Sequence, residues 1–379
     1  MSDIYSSTNL VLAETAKKRD LVKVNFLEGC SVSINGKSGK EYDVKIKEND
    51  REIYSSKIKT GHWSKINKRY FGNYSVDVYL NDKLVKSEAL NLKGKNVKIN
   101  IDSNSLGDNL AWIPQIDKFQ KVHKCNVFVH SYFKNLFEKT YPNLNFFDTF
   151  GGCHASYSLG YYFGEDWPSY TPVNPKTVTL GRVAADILGM DYEEIKPKLS
   201  FTPKVYNKKY VCIATQSTAQ AKYWNNPKGW ESVVDYLNSK GYEVWCIDKH
   251  ASFGSKDLVN SIPKGAINKT GDISIEERMS QIHGAEFFIG LSSGLSWLAW
   301  ALNKPVVLIS GFTDKFNEFK TPYRVLNEKV CNSCWNDLNC KFDASNWKWC
   351  PRGKKFECSS EISFEMVKSE IDKCLNKIK

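Results

Sequence analysis

The sequence feature that most limits the fold is an alternation of buried-strand and amphipathic-helix patterns in the second half of the chain. KYVCIAT and YEVWCID are typical of buried strands, and GWESVVDYLNSKG between them has the spacing of a helix that ends at Gly241. EFFIGL, SGLSWLAWALN and PVVLISG continue the pattern, and a similar run begins near residue 102. Two such runs predict two Rossmann-like domains that face each other across a cleft.

The first 101 residues have a different pattern. Short runs such as LVKVNF, YDVKIKE and YSVDVYL alternate apolar and polar residues and are separated by turn signals, which predicts a small antiparallel barrel or sandwich. A chain of 379 residues also exceeds what one core normally holds. We therefore expect four regions: an all-β domain at 1–101, Rossmann-like domains at 102–203 and 204–328, and a cysteine-rich segment with a C-terminal helix at 329–379.

Composition and targeting signals narrow the class of protein. The N-terminal sequence has no basic stretch followed by an apolar core, so we predict no secretory signal, and no run of about 18 apolar residues indicates a membrane span. We expect a cytoplasmic protein with reduced cysteines. The formal net charge is +11, but the basic residues are spread along the chain rather than gathered in runs. This distribution favours an anionic small-molecule ligand over a nucleic acid.

The stretch CNSCWNDLNCKFDASNWKWCPRGKKFEC contains five of the eleven cysteines. In a reducing compartment, clustered cysteines are more typical of a metal site than of disulfides. Cys331 and Cys334 form a CxxC pair, Cys350 and Cys358 supply a second pair, and Cys340 is spare. Four thiolates complete a tetrahedron without an open position, and on this chemistry alone zinc is the first expectation. Buried cysteines without a metal are the alternative.

The segment NSLGDNLAW follows a predicted strand and opens a helical pattern, with Asp108 near the helix start. Asp108 fits two roles. It is either an N-cap that stabilises the helix by about 1 kcal/mol, or a general base. In the second role the helix amides hold the carboxylate ionised, because hydrogen bonds to the charged form lower its pKa.

Two further stretches place polar residues after strands of the second half. Thr215 ends KYVCIAT, Gln216 and Ser217 follow it, and Lys222 comes soon after, where an open α/β sheet presents its strand ends to ligands. Lys222 is suited to pair with a diphosphate, and a solvated loop is the alternative.

The second stretch, GLSSGLSW, sets small polar residues between a strand and a helix, an arrangement that binds anions through backbone amides. It matches neither the P-loop nor the GxGxxG pattern, which disfavours a kinase or a nicotinamide enzyme.

Together these stretches resemble the bacterial lipopolysaccharide heptosyltransferases, whose two facing Rossmann domains carry SLGD, KxWP and DTGxSHxAAALGxPVV motifs. This chain has SLGD, KYWNNP and SSGLSWLAWALNKPVV, with Ser292 and Trp297 at the Asp and His positions. These departures, the N-terminal β domain, the cysteine cluster and GRVAADILGMDYEEIKPKL are similar to the autotransporter heptosyltransferases, a subgroup that glycosylates serines of adhesins. The resemblance covers most of the chain.

The resemblance implies an α/β, GT-B fold and an inverting protein O-heptosyltransferase. Such an enzyme moves heptose from ADP-heptose to serine hydroxyls of an autotransporter-type adhesin. Asp108 would be the base that takes the serine proton, and Lys222 would bind the donor diphosphate and stabilise the leaving ADP. The nucleotide-sugar pocket would be formed by Thr215, Gln216, Ser217, Trp224, Ser292, Ser293, Gly294 and Leu295.

The resemblance also implies iron rather than zinc at the four cysteines, in a structural role, and a homo-oligomer such as a dodecamer assembled partly through the β domain. Two other functions remain open. One is a GT-B transferase for another nucleotide sugar. The other is a non-catalytic protein that binds a glycan or a nucleic acid, which the basic charge and the substituted Asp and His positions allow.

Overall fold

The computed structural model describes residues 20–149, 151–255 and 258–378. The N-terminal sequence for which we predict no secretory signal lies outside these ranges. Within them, no helix combines the length and the apolar character needed to cross a membrane.

The N-terminal part of the chain consists of antiparallel strands. They are β1 (Leu21–Leu27), β2 (Ser31–Asn35), β3 (Glu41–Glu48), β4 (Arg51–Lys59), β5 (Trp63–Lys65), β6 (Tyr74–Leu80) and β7 (Lys83–Ala89). Four of them form a sheet in the order β4-β3-β6-β7. Val44 and Ile46 of β3 and Val76 and Val78 of β6 are fully buried, and the residues between them are more exposed. This period of two is expected of a sheet with one face on a core.

The first β/α half shares a sheet with the remaining N-terminal strands. Its elements are β8 (Asn96–Ile101), α1 (Leu106–His123), β9 (Asn126–His130), α2 (Lys134–Phe137), β10 (Leu144–Phe146), β11 (Ala155–Leu159) and α3 (Leu180–Ile187). The sheet order is β10-β9-β8-β11-β1-β2-β5, and β1 pairs in parallel with β11. β8 was expected within the all-β domain but lies in this mostly parallel sheet. The sheet continues across residue 101, so strand pairing does not mark a domain limit there. A limit at residue 101 stays a prediction.

The second β/α half contains a six-stranded parallel sheet. Its elements are β12 (Tyr210–Ala214), α4 (Gly229–Ser239), β13 (Glu243–Cys246), β14 (Ser252–Ser255), β15 (Leu258–Ser261), β16 (Ile267–Asn268), α5 (Ile275–Gly284), β17 (Phe288–Leu291), α6 (Gly294–Ala301), β18 (Val306–Ile309) and β19 (Tyr323–Val325). The parallel sheet has the order β16-β13-β12-β17-β18-β19, and β14 and β15 form a separate antiparallel pair. Every residue of β12, β17 and β18 is buried, as expected when helices cover both faces of a parallel sheet.

The C-terminal residues form two helices, α7 (Glu357–Ser360) and α8 (Phe364–Ile378). Val367, Ile371 and Cys374 of α8 are fully buried and join the hydrophobic cluster that contains Val307 of β18. The helix predicted together with the cysteine-rich segment therefore packs with the second sheet.

The strand orders place a crevice at the same point of each sheet. β8 lies between β9 and β11, and β12 lies between β13 and β17, so each sheet order reverses beside its first β/α strand. Ligands of open α/β sheets bind at such switch points, outside the carboxyl ends of the strands. The N-termini of α1 and α6 meet here. A Cβ added to Gly107 would lie 2.9 Å from Cδ1 of Trp297, so only glycine permits this close approach.

Candidate active site

A cavity of about 630 Å³ is lined by residues that follow the strands of both halves. This volume is within the range of small-molecule sites. The first half contributes the turn and helix start after β8, together with Phe133 and Tyr161. The second half contributes residues that follow β12, β13 and β17, and the loop between β18 and β19. The predicted site residues that line the cavity are Asp108, Gln216, Ser217, Lys222, Ser292, Ser293, Gly294 and Leu295.

Asp108 lies inside the first turn of α1 rather than at its cap. The helix begins at Leu106 and Ser105 is the N-cap residue, so the N-cap interpretation of Asp108 is wrong. Ser103 donates a 2.5 Å hydrogen bond from its hydroxyl to Oδ2 of Asp108, and the Ser105 amide donates to the Ser103 hydroxyl at 3.1 Å. The carboxylate is therefore oriented by side-chain contacts of the turn that precedes the helix.

Asp108 and Lys222 are electrostatically coupled across the cavity. Burial raises the pKa of Asp108, while the Ser103 hydrogen bond and the Lys222 ammonium oppose the rise. Burial lowers the pKa of Lys222, and the carboxylates of Asp108 and Glu318 oppose that shift. A raised carboxyl pKa suits a general base that must accept a proton. The two halves of the molecule thus bring a carboxylate and an ammonium to one site.

The start of α6 carries an unpaired hydroxyl. Ser293 is the N-cap residue of α6, and its Oγ is buried without a hydrogen-bond partner among the described residues. Because buried polar atoms are nearly always paired, an orphaned hydroxyl in a cavity wall indicates a ligand group. The adjoining helix amides and the positive end of the helix dipole favour an anion at this place.

Ser292 is in the opposite state, because its hydroxyl is already bound. Ser292 donates a hydrogen bond to Oε1 of Glu318, whose side chain is only 1% exposed. Glu318 also accepts from Nδ2 of Asn317 at 3.2 Å and from Nη1 of Arg324 at 2.9 Å. We did not identify Glu318 from the sequence. It stands in a loop 26 residues after Ser292, without a local motif.

Two predicted site residues are not among those that line the cavity. The amide and hydroxyl of Thr215 donate to Oδ2 of Asp248 at 2.8 and 2.9 Å, so Thr215 holds the strand end rather than facing a ligand. The Trp224 indole is buried and donates to the carbonyl of Ile362 at 2.9 Å. Trp224 is therefore a core residue that joins the second half to the segment before α8.

The cysteine-rich segment supplies an aromatic part of the cavity wall. Trp335, the residue after Cys334, lines the cavity with its ring centroid 5.0 Å from that of Tyr161 and 5.4 Å from that of Phe312. Nζ of Lys222 lies 5.5 Å from the Phe312 centroid. Sequence reasoning assigned no site role to these aromatic residues, although the position of Trp335 beside a predicted metal ligand was a usable signal.

The same segment also contacts the loops that carry the site. The amide of Gln220 donates to the carbonyl of Trp347 at 3.2 Å, and the Trp347 indole donates back to Oε1 of Gln220 at 3.2 Å. On the other side, the buried Lys176 donates from Nζ to the carbonyl of Asp337 at 3.1 Å. The cysteine-rich segment therefore bridges the turn that holds Lys222 and a loop of the first half.

All eleven cysteines are free thiols. Burial raises the pKa of Cys334 to about 12, and the thiols of Cys331, Cys340 and Cys358 add to the rise. Burial also raises the pKa of Cys358 to about 12, with Cys350 and Cys331 adding to it. Each predicted ligand thus interacts electrostatically with at least one other member of the set, as Cys340 does with Cys334, and soft sulfur donors suit iron or zinc. However, in the part of the chain that the structure describes, no group of three or more His, Cys, Asp or Glu side chains has the arrangement of a metal site. The ligand set stays a prediction.

Comparison with known proteins agrees with this architecture. Residues 181–349 match the model of glycosyltransferase family 9 (heptosyltransferase). The autotransporter heptosyltransferase TibC of Escherichia coli O78:H11 is 41% identical over 324 residues, 82% of this chain and 80% of TibC. The inactive autotransporter heptosyltransferase BimC of Burkholderia thailandensis is 32% identical over 92% of this chain and 85% of BimC. A crystal structure of dodecameric, iron-containing TibC in complex with ADP-D-beta-D-heptose has a TM-score of 0.90 at 36% identity, covering 94% of this chain and 96% of that chain.

Two facing α/β halves with a shared cavity at their strand ends define a glycosyltransferase of the GT-B fold. The similarity to TibC over most of both sequences places the protein within that class: the chain belongs to the autotransporter heptosyltransferase family. The family prediction made from the SLGD, lysine and SSGLSW stretches is confirmed.

Proposed function

We propose that this protein is an inverting O-heptosyltransferase that moves heptose from ADP-heptose to serine hydroxyls of an autotransporter-type adhesin. The observation that carries the proposal is the electrostatic coupling of Asp108 and Lys222, which come from different halves and line one cavity. TibC, solved with ADP-D-beta-D-heptose, supports the choice of donor.

In the proposed reaction Asp108 takes the proton of the acceptor serine through Oδ1, because Oδ2 already accepts from Ser103. The serine oxygen forms a bond to the anomeric carbon while the bond from that carbon to the diphosphate oxygen breaks. The electron pair of the broken bond leaves with ADP. Attack from the face opposite to the leaving group inverts the anomeric centre, and a positioned general base contributes about 10²–10⁴-fold to such a rate.

Lys222 and the start of α6 are proposed to hold the diphosphate. The ammonium of Lys222 neutralises the charge that develops on ADP, and it is most effective inside a cavity from which bulk water is excluded. The unpaired Ser293 hydroxyl and the amides of Gly294 and Leu295 donate hydrogen bonds to phosphate oxygens. Gln216 and Ser217 complete the donor side of the cavity.

The test is incubation of the purified protein with a panel of nucleotide sugars and a serine-rich acceptor repeat, followed by intact mass of the acceptor. We expect the acceptor to gain heptose from ADP-heptose and to gain nothing from the other donors. A gain from a different nucleotide sugar would establish the other transferase hypothesis and reject the heptose assignment.

A non-catalytic role is the second candidate, because the inactive relative BimC is similar over 92% of this chain. The presence of both Asp108 and Lys222 in the cavity favours catalysis. Binding of ADP-heptose without any transfer to acceptor would establish the non-catalytic role.

We further propose that Cys331, Cys334, Cys350 and Cys358 hold a structural iron ion, as in the iron-containing TibC. The effects of Cys331 and Cys358 on the pKa of Cys334, and of Cys350 and Cys331 on that of Cys358, support this set. An ion held by four thiolates has no open position for substrate, so its role is to order the cysteine-rich segment. Zinc is the alternative metal, and Cys340 is the alternative ligand.

We also propose a homo-oligomer in which the N-terminal strands take part in assembly. TibC is dodecameric. Strands β4, β5 and β7 are edges of their sheets, and Trp63 of β5 is 70% exposed, which are features of surfaces that associate. Light scattering should give about 520 kDa for a dodecamer of 43.3 kDa chains. A mass of one chain would reject the proposal.

A further inference from the structure

Two adjacent serines in the cavity wall have opposite hydrogen-bonding states. The Ser293 hydroxyl has no partner among the described residues, so its proton is available to a ligand. The Ser292 hydroxyl donates a hydrogen bond to Oε1 of Glu318, so its proton is already engaged. A hydroxyl has one proton and two lone pairs, so Ser292 has only acceptor positions left for a group in the cavity.

This state determines which ligand groups each serine can bind. The oxygens of a nucleotide diphosphate are acceptors at neutral pH, so they bind Ser293 well and Ser292 poorly. A sugar hydroxyl carries a proton that it can donate to Ser292 or to Glu318. The adjacent pair is therefore suited to recognise a hydroxyl group, whereas Ser293 is suited to recognise phosphate.

The Glu318 carboxylate is held in place by several donors. Arg324 donates to Oε2 at 2.9 Å and Asn317 donates to Oε1 at 3.2 Å. The Arg324 guanidinium balances the charge of the Glu318 carboxylate, whose side chain is only 1% exposed. A fixed acceptor of this kind selects a ligand by geometry.

Glu318 also lies near the reacting groups. It and Asp108 both oppose the lowering of the Lys222 pKa. Both also add to the raised pKa of Tyr161, another cavity residue. Glu318, Asp108 and Lys222 line the same cavity, so a sugar bound between the proposed base and the diphosphate site has Glu318 in its cavity wall.

We infer that Ser292 and Glu318 together accept a hydrogen bond from a hydroxyl group of the transferred heptose and so select the donor sugar. This inference rests on the proposed function, since it names the part of the donor that the pair contacts. A sugar without that hydroxyl, or with the opposite configuration, would leave buried acceptors unpaired, which is a strong basis for rejection.

The test compares two single variants, Ser292→Ala and its neighbour Ser293→Ala, by calorimetric titration with ADP and with ADP-heptose. We expect Ser292→Ala to weaken ADP-heptose about tenfold and to leave ADP binding unchanged, since ADP lacks the sugar. Ser293→Ala should weaken both ligands by a similar factor. Equal weakening of ADP and ADP-heptose in Ser292→Ala, or no change for either, would overturn the inference.

Glu318→Gln provides a second test, because the glutamine side chain has a similar shape to glutamate and carries no charge. It should also weaken ADP-heptose more than ADP, and its melting temperature must be recorded because Arg324 loses its ionised partner. Unchanged binding of ADP-heptose by folded Glu318→Gln would contradict the assignment. If wild type transfers no heptose while the Ser292 pattern is present, the proposed function fails and the pair assignment stands. If wild type transfers heptose and the pattern is absent, only the inference fails.

Discussion

The hydroxyl of Ser103 donates a 2.5 Å hydrogen bond to Oδ2 of Asp108, five residues further along the chain. This contact makes the two carboxylate oxygens unequal, because Oδ2 is engaged and Oδ1 is assigned to the acceptor. It also orients the carboxylate before substrate binds. This fixed orientation supports the proposed role of Asp108 as the base, and its chemistry leads to the first prediction.

Asp108→Asn should reduce kcat for heptose transfer by about 10²–10⁴-fold, because the amide cannot accept the serine proton. The side chains have similar shapes, so the circular dichroism spectrum and the iron content should match those of wild type. Transfer at the wild-type rate would remove Asp108 from the mechanism.

Ser103→Ala tests the orientation and the pKa of the base. The Ser103 hydrogen bond lowers the pKa of Asp108 against the rise that burial causes. Its removal should raise that pKa further. Since the ionised form is active, activity is lost as pH falls through the pKa, and the acid limb of the kcat profile should move to higher pH. The exposed Ser239→Ala is the control and should leave the limb in place. An acid limb that stays fixed in Ser103→Ala would contradict this role.

At high pH, activity should be limited by Lys222. Burial lowers the pKa of its ammonium, so the charge that binds the diphosphate is lost at a lower pH than for an ordinary lysine. The wild-type profile should therefore be bell-shaped, and Lys222→Arg, which keeps its charge, should remove the alkaline limb. Persistence of that limb in Lys222→Arg would assign it to another group.

Lys222→Ala should weaken ADP about 10- to 100-fold in calorimetric titrations, because a hydrogen bond between charged groups is lost. Lys264→Ala changes an exposed lysine of the same half and is the matched control, for which wild-type affinity is expected. Normal heats of binding for Lys222→Ala would exclude this lysine from the donor site.

Cys331→Ser should lower the iron content of the purified protein, measured by elemental analysis, because one of four proposed thiolate ligands is lost. Cys374→Ser is the control, since Cys374 is buried in α8 among residues of the second core. Full iron content in Cys331→Ser would refute this ligand. If Cys340→Ser loses iron and Cys350→Ser does not, then Cys340 is the fourth ligand in place of Cys350.

The sequence predicted the parts of the site that follow directly from strand ends. Asp108, Lys222 and Ser293 come soon after β8, β12 and β17, and parallel strands bring such loops to one edge of a sheet. The parallel sheet of the second half was predictable for the same reason, because its strands are continuous apolar runs that alternate with helices.

Other features depend on contacts between distant segments and were not predictable from local patterns. Glu318 reaches Ser292 from a loop 26 residues away, and no periodicity reports such a contact. Trp224 was expected in the pocket, but its indole pairs with Ile362, 138 residues further along the chain. The placement of β8 in the parallel sheet is a choice of partner strands, which its own alternating pattern does not specify.

In the proposed mechanism, Asp108 faces an activated sugar whose diphosphate is bound by the second half. A crystal structure of Asp108→Asn with ADP-heptose and a serine peptide tests it most directly. We predict Lys222 in contact with the diphosphate, and the serine oxygen about 3 Å from both the substituted amide side chain at position 108 and the anomeric carbon. A sugar bound with its anomeric carbon on the far side of the cavity from position 108 would contradict this mechanism.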